Sequence, residues 1–220
     1  MTDRFAALPY EMAVIGAGSY GAVIAELAES CGYRVALYLD DDPAKQGILL
    51  DGVPVSVPIE DALRSLSPSI AVSVAIGDND VRRQWLRKAK VLGYQVPALI
   101  SPHAVVSKSA TVEEGVYLHP FCHVWTRARI GFGCILSPHA TVAHHTELGE
   151  GCFVSTGANV GASIRVGEAA FFGIGSVTST DVQNVAEHSL IGAGAVLIRD
   201  TQKHGVYVGS PGRCIKVNSA

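Results

Sequence analysis

Aliphatic residues return at every sixth position over residues 100–177. The anchors are Ile100, Val106, Val112, Leu118, Val124, Ile130, Leu136, Val142, Leu148, Val154, Val160, Val166 and Phe172. Four places after each anchor stands a mostly small residue, among them Ala104, Ala110, Cys122, Ala128, Cys134, Ala140, Cys152, Ala158 and Ala170. After an interruption at 178–184 the anchors resume at Val185, Ile191 and Leu197. A 3.6-residue turn sends every sixth side chain in a changing direction, so no helix can bury such a series. A hexad repeat instead marks a parallel β-helix, each unit forming one face of a stacked coil. Three hexads per turn place residues eighteen apart in one column, at roughly 4.8 Å per rung. Thr126, His144 and Ala162 then share a column, and Arg127, His145 and Ser163 share the next. Side chains outside the anchor and i+4 slots are expected to face outward.

Upstream the period changes. Met12-Ala13-Val14-Ile15 is a short apolar run that predicts a buried strand, followed at once by Gly16-Ala17-Gly18-Ser19-Tyr20-Gly21. The next stretch predicts a helix with Val23, Ile24, Leu27 and Ala28 on its buried face and Gly32 as its stop. Residues 34–39 predict a second strand that runs into Asp40-Asp41-Asp42-Pro43. A third strand is expected over 70–76, a helix over 82–92, and a lead into the coil over 96–100. In a strand–glycine turn–helix–strand unit, bare backbone lets N–H groups approach a phosphate at the helix N-terminus. An acid beyond the second strand can hold ribose or base. About 100 residues accommodate one nucleotide more readily than a full dinucleotide fold.

The 220 residues therefore divide into an α/β nucleotide-binding domain at 10–98, a coil at 99–202 and a C-terminal tail at 203–220. A formal net charge of −3 offers no broad attraction to nucleic acid or anionic membrane. No apolar run of membrane-spanning length occurs, and Met1-Thr2-Asp3-Arg4 leads into no signal-like stretch, which points to the cytoplasm and no membrane insertion. The five cysteines show no C-x-x-C spacing. Cys122, Cys134 and Cys152 fall in the small inward slot and read as core thiols of a reducing compartment.

Candidate chemistry concentrates in Ser137-Pro138-His139-Ala140-Thr141-Val142-Ala143-His144-His145. A neutral, outward imidazole can take a proton from an attacking amine or hydroxyl near neutral pH.

The glycine turn, Leu39-Asp40-Asp41, Ala75-Ile76-Gly77-Asp78-Asn79, the hexads and Gly205-Val206-Tyr207-Val208-Gly209-Ser210-Pro211 occur in one order. That order resembles the PglD/NeuD-type bacterial sugar acyltransferases from Met12 to Val217. The resemblance implies a Rossmann-like βαβ nucleotide-sugar domain, a left-handed parallel β-helix and a homotrimer. It also implies acetyl transfer from acetyl-CoA to an amino group, or sometimes a hydroxyl, on a nucleotide-linked sugar, without a metal. By that resemblance His144 is the general base. Gly16, Gly18, Ser19, Tyr20, Asp40 and Asp41 hold the nucleotide. Ala162, Gly173, Ile174 and Gly192 line the CoA path between subunits, with residues 178–184 as an irregular loop available to wall it. Pro211 and Arg213 meet the adenine end, and a guanidinium suits phosphate. Two positions depart from the pattern. His145 stands where PglD has Glu after its base, leaving Glu147 or Ser137 as possible assistants, and Tyr20 stands where PglD has a histidine.

Two other readings compete. His139 and His144 have the H-x4-H spacing of γ-class carbonic anhydrases, with His103 upstream as a third zinc ligand. The coil could also be a non-catalytic trimeric scaffold. N- and O-acetylation both remain open, since a neutral histidine serves either nucleophile.

Overall fold

A computed structural model describes residues 11–218. Met1-Thr2-Asp3-Arg4, the expected start of the first domain at residue 10 and the last two residues of the tail lie outside the described residues. The chain divides into two compact units between Pro97 and Ala98.

The first unit is a five-stranded sheet with helices. Its elements are β1 (Glu11–Ile15), α1 (Ser19–Ser30), β2 (Arg34–Leu39), β3 (Leu49–Leu50), β4 (Val53–Ser56), α2 (Ile59–Ser65), β5 (Ala71–Val74) and α3 (Asn79–Val91). The sheet order is β3-β4-β2-β1-β5. All pairings are parallel except that of β3 with β4. β1 is buried from Met12 to Ile15, as its unbroken apolar run demands of a central parallel strand. α1 stops where Gly32 turns to φ +88°, and the Tyr33 amide reaches back to the Ala28 carbonyl.

Several expectations need correction. α1 buries Gly21, Ile24, Ala25, Leu27 and Ala28, whereas Val23 is 43% exposed and belongs to the outer face. α3 starts at Asn79 rather than 82, because the Asp78 carboxylate accepts from the amides of Asp80 and Val81 and caps it. The third strand is shorter than 70–76. β3, β4 and α2 were not anticipated.

The second unit is a parallel β-helix of two-residue strands on three faces. The first face runs from Leu99–Ile100 through Tyr117–Leu118, Ile135–Leu136, Phe153–Val154 and Phe171–Phe172 to Leu190–Ile191. The second contains Val105–Val106, His123–Val124, Thr141–Val142, Asn159–Val160, Val177–Thr178 and Val196–Leu197. The third contains Thr111–Val112, Arg129–Ile130, Glu147–Leu148, Arg165–Val166 and Asn184–Val185. Anchors and i+4 residues form one core, with Ala104, Val106, Ala110 and Val112 only partly covered at its start and Ile100 38% exposed. The three central cysteines lie in that core. Burial pushes the Cys122 thiol up to about 12, so it stays protonated.

The interruption is smaller than expected. His123 pairs with Thr141 eighteen residues on, but Val177 pairs with Val196 nineteen residues on. One inserted residue absorbs the break, while Thr178 and Val182 keep the anchor and i+4 slots and are buried. Residues 178–184 are therefore a short break rather than a long loop, and Thr180, Val182, Gln183 and Asn184 from it line a recess beside Ala162. Not every outward slot meets solvent either: Tyr117 and Ile135 are buried in the outward column of the first face, where large apolar residues cover one another rung by rung. The expected tail contains a hairpin, with Gly205–Val208 extending the first face and Arg213–Val217 antiparallel to it. No helix among the described residues is long and apolar enough to cross a membrane.

Candidate active site

In the first unit the glycine turn lies between β1 and α1. The Gly16 amide donates to the Leu39 carbonyl at 2.7 Å, and the Ala17 amide donates to Asp40 Oδ2 at 2.8 Å. The three motif glycines serve different ends. A Cβ on Gly21 would stand 2.4 Å from the Gly16 carbonyl oxygen, and one on Gly16 would stand 2.8 Å from that of Ala75. These two glycines permit close packing. A Cβ on Gly18 would meet nothing within 4 Å, so its bareness keeps space beside the helix N-terminus open. Gly18 and Ser19 are exposed, and Tyr20 is half-buried beside them.

Both expected nucleotide acids already have protein partners. Asp40 also accepts from Lys45 Nζ at 2.7 Å and from the Asp42 amide at 3.0 Å. Burial pushes its carboxyl up. The hydrogen bonds from Lys45, Asp42 and Ala17, with the charge of Lys45, outweigh that and hold it below the usual carboxylate range. Asp41 Oδ1 accepts from the Ile59 amide at 2.9 Å, at the start of α2. Lys45 was not anticipated, nor was Arg82. That fully buried guanidinium donates to the carbonyls of Ile76 and Gly77 and to Asn79 Oδ1. It holds the loop after β5, at the same sheet end as the glycine turn.

In the coil, the corner after the second face carries His144 and His145. Both are exposed. His145 adopts φ +61°, and its amide donates to the Thr126 carbonyl at 3.0 Å, while the Ser163 amide donates to the His144 carbonyl at 3.0 Å. This backbone ladder sets the two columns read from the repeat. The rings' Nδ1 atoms lie 3.1 Å apart. Trp125 stands beside His144 with ring centroids 6.3 Å apart. His145 lines a recess of about 240 Å³ with Ser109, Thr111, Arg127, Arg129 and Glu147. Glu147, a suggested assistant, faces Arg129 Nε at 3.8 Å. Ala162, one rung from His144, borders a separate recess with Ser163 and Arg165, its other wall being residues 180–184 of the interruption, as the sequence suggested for that segment.

The corner before the second face carries the other set. Ser137, Gly173, Ile174 and Gly192 share one cleft of about 440 Å³ with Phe153, Ser155, Thr156, Phe171, Leu190 and Ala193. Ser137 thus belongs to the corner preceding Thr141–Val142, not to the one that carries His144. Ser155 and the stacked Phe153 and Phe171 rings, 5.3 Å apart, were missed. Counting eighteen residues on from Ser137 and Ile135 would have found Ser155 and Phe153. Pro211 and Arg213 are exposed in the terminal hairpin, whose Gly212 amide donates to the Val196 carbonyl at 2.7 Å.

A zinc site of His103, His139 and His144 does not match this layout. The Phe121 ring stacks between His103 and His139 at 6.0 and 5.0 Å, and His144 occupies the next corner.

Comparison with known proteins agrees with the architecture. The PglD N-terminal domain family matches residues 11–89. UDP-N-acetylbacillosamine N-acetyltransferase of Bacillus subtilis (strain 168) is 34% identical over 113 residues, 49% of this chain and 50% of that protein, so the match spans about half the length of this curated relative. The acetyltransferase domain of PglB from Neisseria gonorrhoeae FA1090, also solved in complex with acetyl coenzyme A, is 33% identical with a TM-score of 0.85; the match covers 94% of this chain and 100% of the uncomplexed domain. A histidine-to-asparagine variant of perosamine N-acetyltransferase from Caulobacter crescentus, in complex with CoA and GDP-perosamine, is 31% identical with a TM-score of 0.86 over 94% of this chain and 97% of that one. Sequence and fold agree over nearly the whole described length, and the chain belongs to the PglD/PglB-type acetyltransferase family.

Proposed function

We propose that this protein transfers the acetyl group of acetyl-CoA to the amino group of a nucleotide-linked amino sugar. The observation that carries this reading is a relative matched over 94% of the chain that holds CoA and GDP-perosamine at once. A complex that holds CoA and a nucleotide sugar together suits direct transfer, in which alignment of amine and thioester supplies much of the rate and no enzyme nucleophile is required. Amino rather than hydroxyl transfer follows the N-acetyltransferase relatives.

The donor occupies the cleft of Gly173, Ile174 and Gly192, with Ala162 on the facing wall and Pro211 and Arg213 toward its adenine end. The acceptor's nucleotide lies on Gly16, Gly18, Ser19 and Tyr20, with Asp40 and Asp41 shaping that end of the sheet, and Ser137 meets the sugar. His144 Nε2 accepts the amine proton as nitrogen attacks the thioester carbonyl carbon. The C–S bond breaks, the thiolate leaves, and the proton passes from His144 to sulfur as CoA thiol. Backbone N–H groups at the glycine-rich corner meet the oxyanion. Because cleft and His144 occupy different corners of one coil, a second copy brings its cleft to this chain's His144. The assembly is a homotrimer with the donor between neighbours. The acetyl-CoA pool it draws on is cytoplasmic.

Thiol release from acetyl-CoA with a panel of UDP-, GDP- and dTDP-linked amino and hydroxy sugars tests the proposal. Release that requires an amino sugar supports it. Release with hydroxy sugars alone makes the protein an O-acetyltransferase, and none across the panel leaves a scaffold. Light scattering of the full chain checks the trimer.

A further inference from the structure

Nδ1 of His144 and Nδ1 of His145 lie 3.1 Å apart, so one proton lies between them, and its owner decides what His144 can do. If His145 donates, the His144 lone pair is spent on Nδ1 and its Nε2 carries hydrogen. If His144 donates, its Nε2 is left with a lone pair. Only the second arrangement makes a base. We infer that His145 is the positioning residue of this active site: as a neutral acceptor it holds His144 in the Nδ1–H tautomer, and catalysis requires both rings uncharged. The inference rests on the reading of His144 as base.

A neutral partner behaves unlike a carboxylate. When His144 takes the amine proton, its Nδ1–H bond to His145 becomes charge-assisted and steadies the imidazolium. A protonated His145 has no lone pair to offer, so it cannot receive the Nδ1–H, and its charge repels a proton on His144. Arg127, Arg129 and Glu147 border the same recess, with Glu147 turned toward Arg129. His123 stands behind Trp125, and Lys108 lies two rungs along the His144 column.

Backbone geometry selects the informative variant. At φ +61° asparagine is among the best tolerated non-glycine residues, and its carbonyl oxygen accepts a hydrogen bond without titrating. His145→Asn keeps an acceptor and removes a proton site, whereas His145→Ala removes both.

The first measurement is long-range 15N NMR of the histidine rings near pH 8, which needs no turnover. His144 is expected as the Nδ1–H tautomer in the wild type and His145→Asn, and as mainly Nε2–H in His145→Ala. The second is kcat and KM at the same pH with acetyl-CoA and GDP-perosamine, or whichever panel sugar turns over. His145→Ala is expected to lose about tenfold to a hundredfold in kcat, the range for removing the partner that orients a working histidine, and His145→Asn to recover most of it. Wild-type tautomer and turnover in both variants overturn the inference. Wild-type turnover in His144→Ala marks instead the failure of the base assignment. An inactive His144→Ala beside unaffected His145 variants sinks the positioning role alone.

Discussion

The Ala17 amide and the Asp40 carboxylate meet at 2.8 Å, tying the glycine turn to the end of β2. Asp40 therefore builds the turn, whatever it also contributes to a nucleotide. Asp40→Asn is expected to lower stability by roughly 2 kcal/mol, the scale for losing a charge-assisted bond of a largely buried group. Because the folded carboxyl ionises below its ordinary value, the stabilisation is complete above about pH 4 and is lost as pH falls through the folded value. Urea melts of both proteins at pH 7 and pH 3 check this: the difference between them should shrink in acid.

The glycine turn separates folding from binding. Gly21→Ala forces a Cβ onto the Gly16 carbonyl oxygen and is expected to cost roughly 1–3 kcal/mol, as overpacking does. Gly18→Ala meets open space at φ −101°, so it should melt with the wild type while binding nucleotide sugar at least tenfold more weakly. Thermal melts and calorimetric titration distinguish the two.

Acid should weaken the coil before it unfolds the whole protein. His119 is 4% exposed, and burial pushes its imidazole down to about 4. An unfolded histidine takes its proton near pH 6.5, so between those values the unfolded state binds more protons than the folded one. Stability is full above about pH 6.5 and falls as pH drops toward 4, by up to roughly 3 kcal/mol. His119→Gln should flatten that part of the profile, read as melting temperature against pH.

The proposed base and the proposed donor cleft should fail differently. His144→Ala is expected to lower kcat by roughly 10²–10⁴-fold with little change in the KM for acetyl-CoA. Ile174, 64% exposed beside the cleft, can be changed without cost to the core; Ile174→Glu should raise that KM about tenfold and leave the melting temperature in place. Steady-state kinetics on the two variants decides.

Legibility along the chain followed the strength of periodicity. Six-residue spacing exposed nearly every anchor from Leu118 to Leu197, and alternation of strand and glycine turn exposed β1, α1 and β2. Leu49–Leu50 and Val53–Ser56 were lost because two- and four-residue strands, one containing Pro54, carry no measurable period. The start of α3 was readable in Asp78, whose carboxylate could cap a helix, but the apolar pattern begins only later and concealed it. Val23 was misplaced because Ile24, Leu27 and Ala28 already fill the buried stripe. Lys45 and Arg82 were hidden for another reason: long cations are usually solvent-facing, and only folding brings their carboxylate and carbonyl partners to them.

Read alone, the amino-acid string determined that a glycine turn precedes a stacked coil, and which residues share each column. A repeat that buries one side of every unit leaves the chain no other way to cover its apolar residues. Folding in three dimensions decided which candidates meet. Ser137 joins Gly173 and Gly192 in one cleft, although Gly173 and Gly192 stand nineteen apart, because a single inserted residue lets the column close. His144 faces His145 because a left-handed backbone turn at residue 145 swings the second ring toward the first. The left-handed turn itself recurs every sixth residue from Gly115 to Gly175, but the one extra residue and the meeting of two particular rings belong to no pattern.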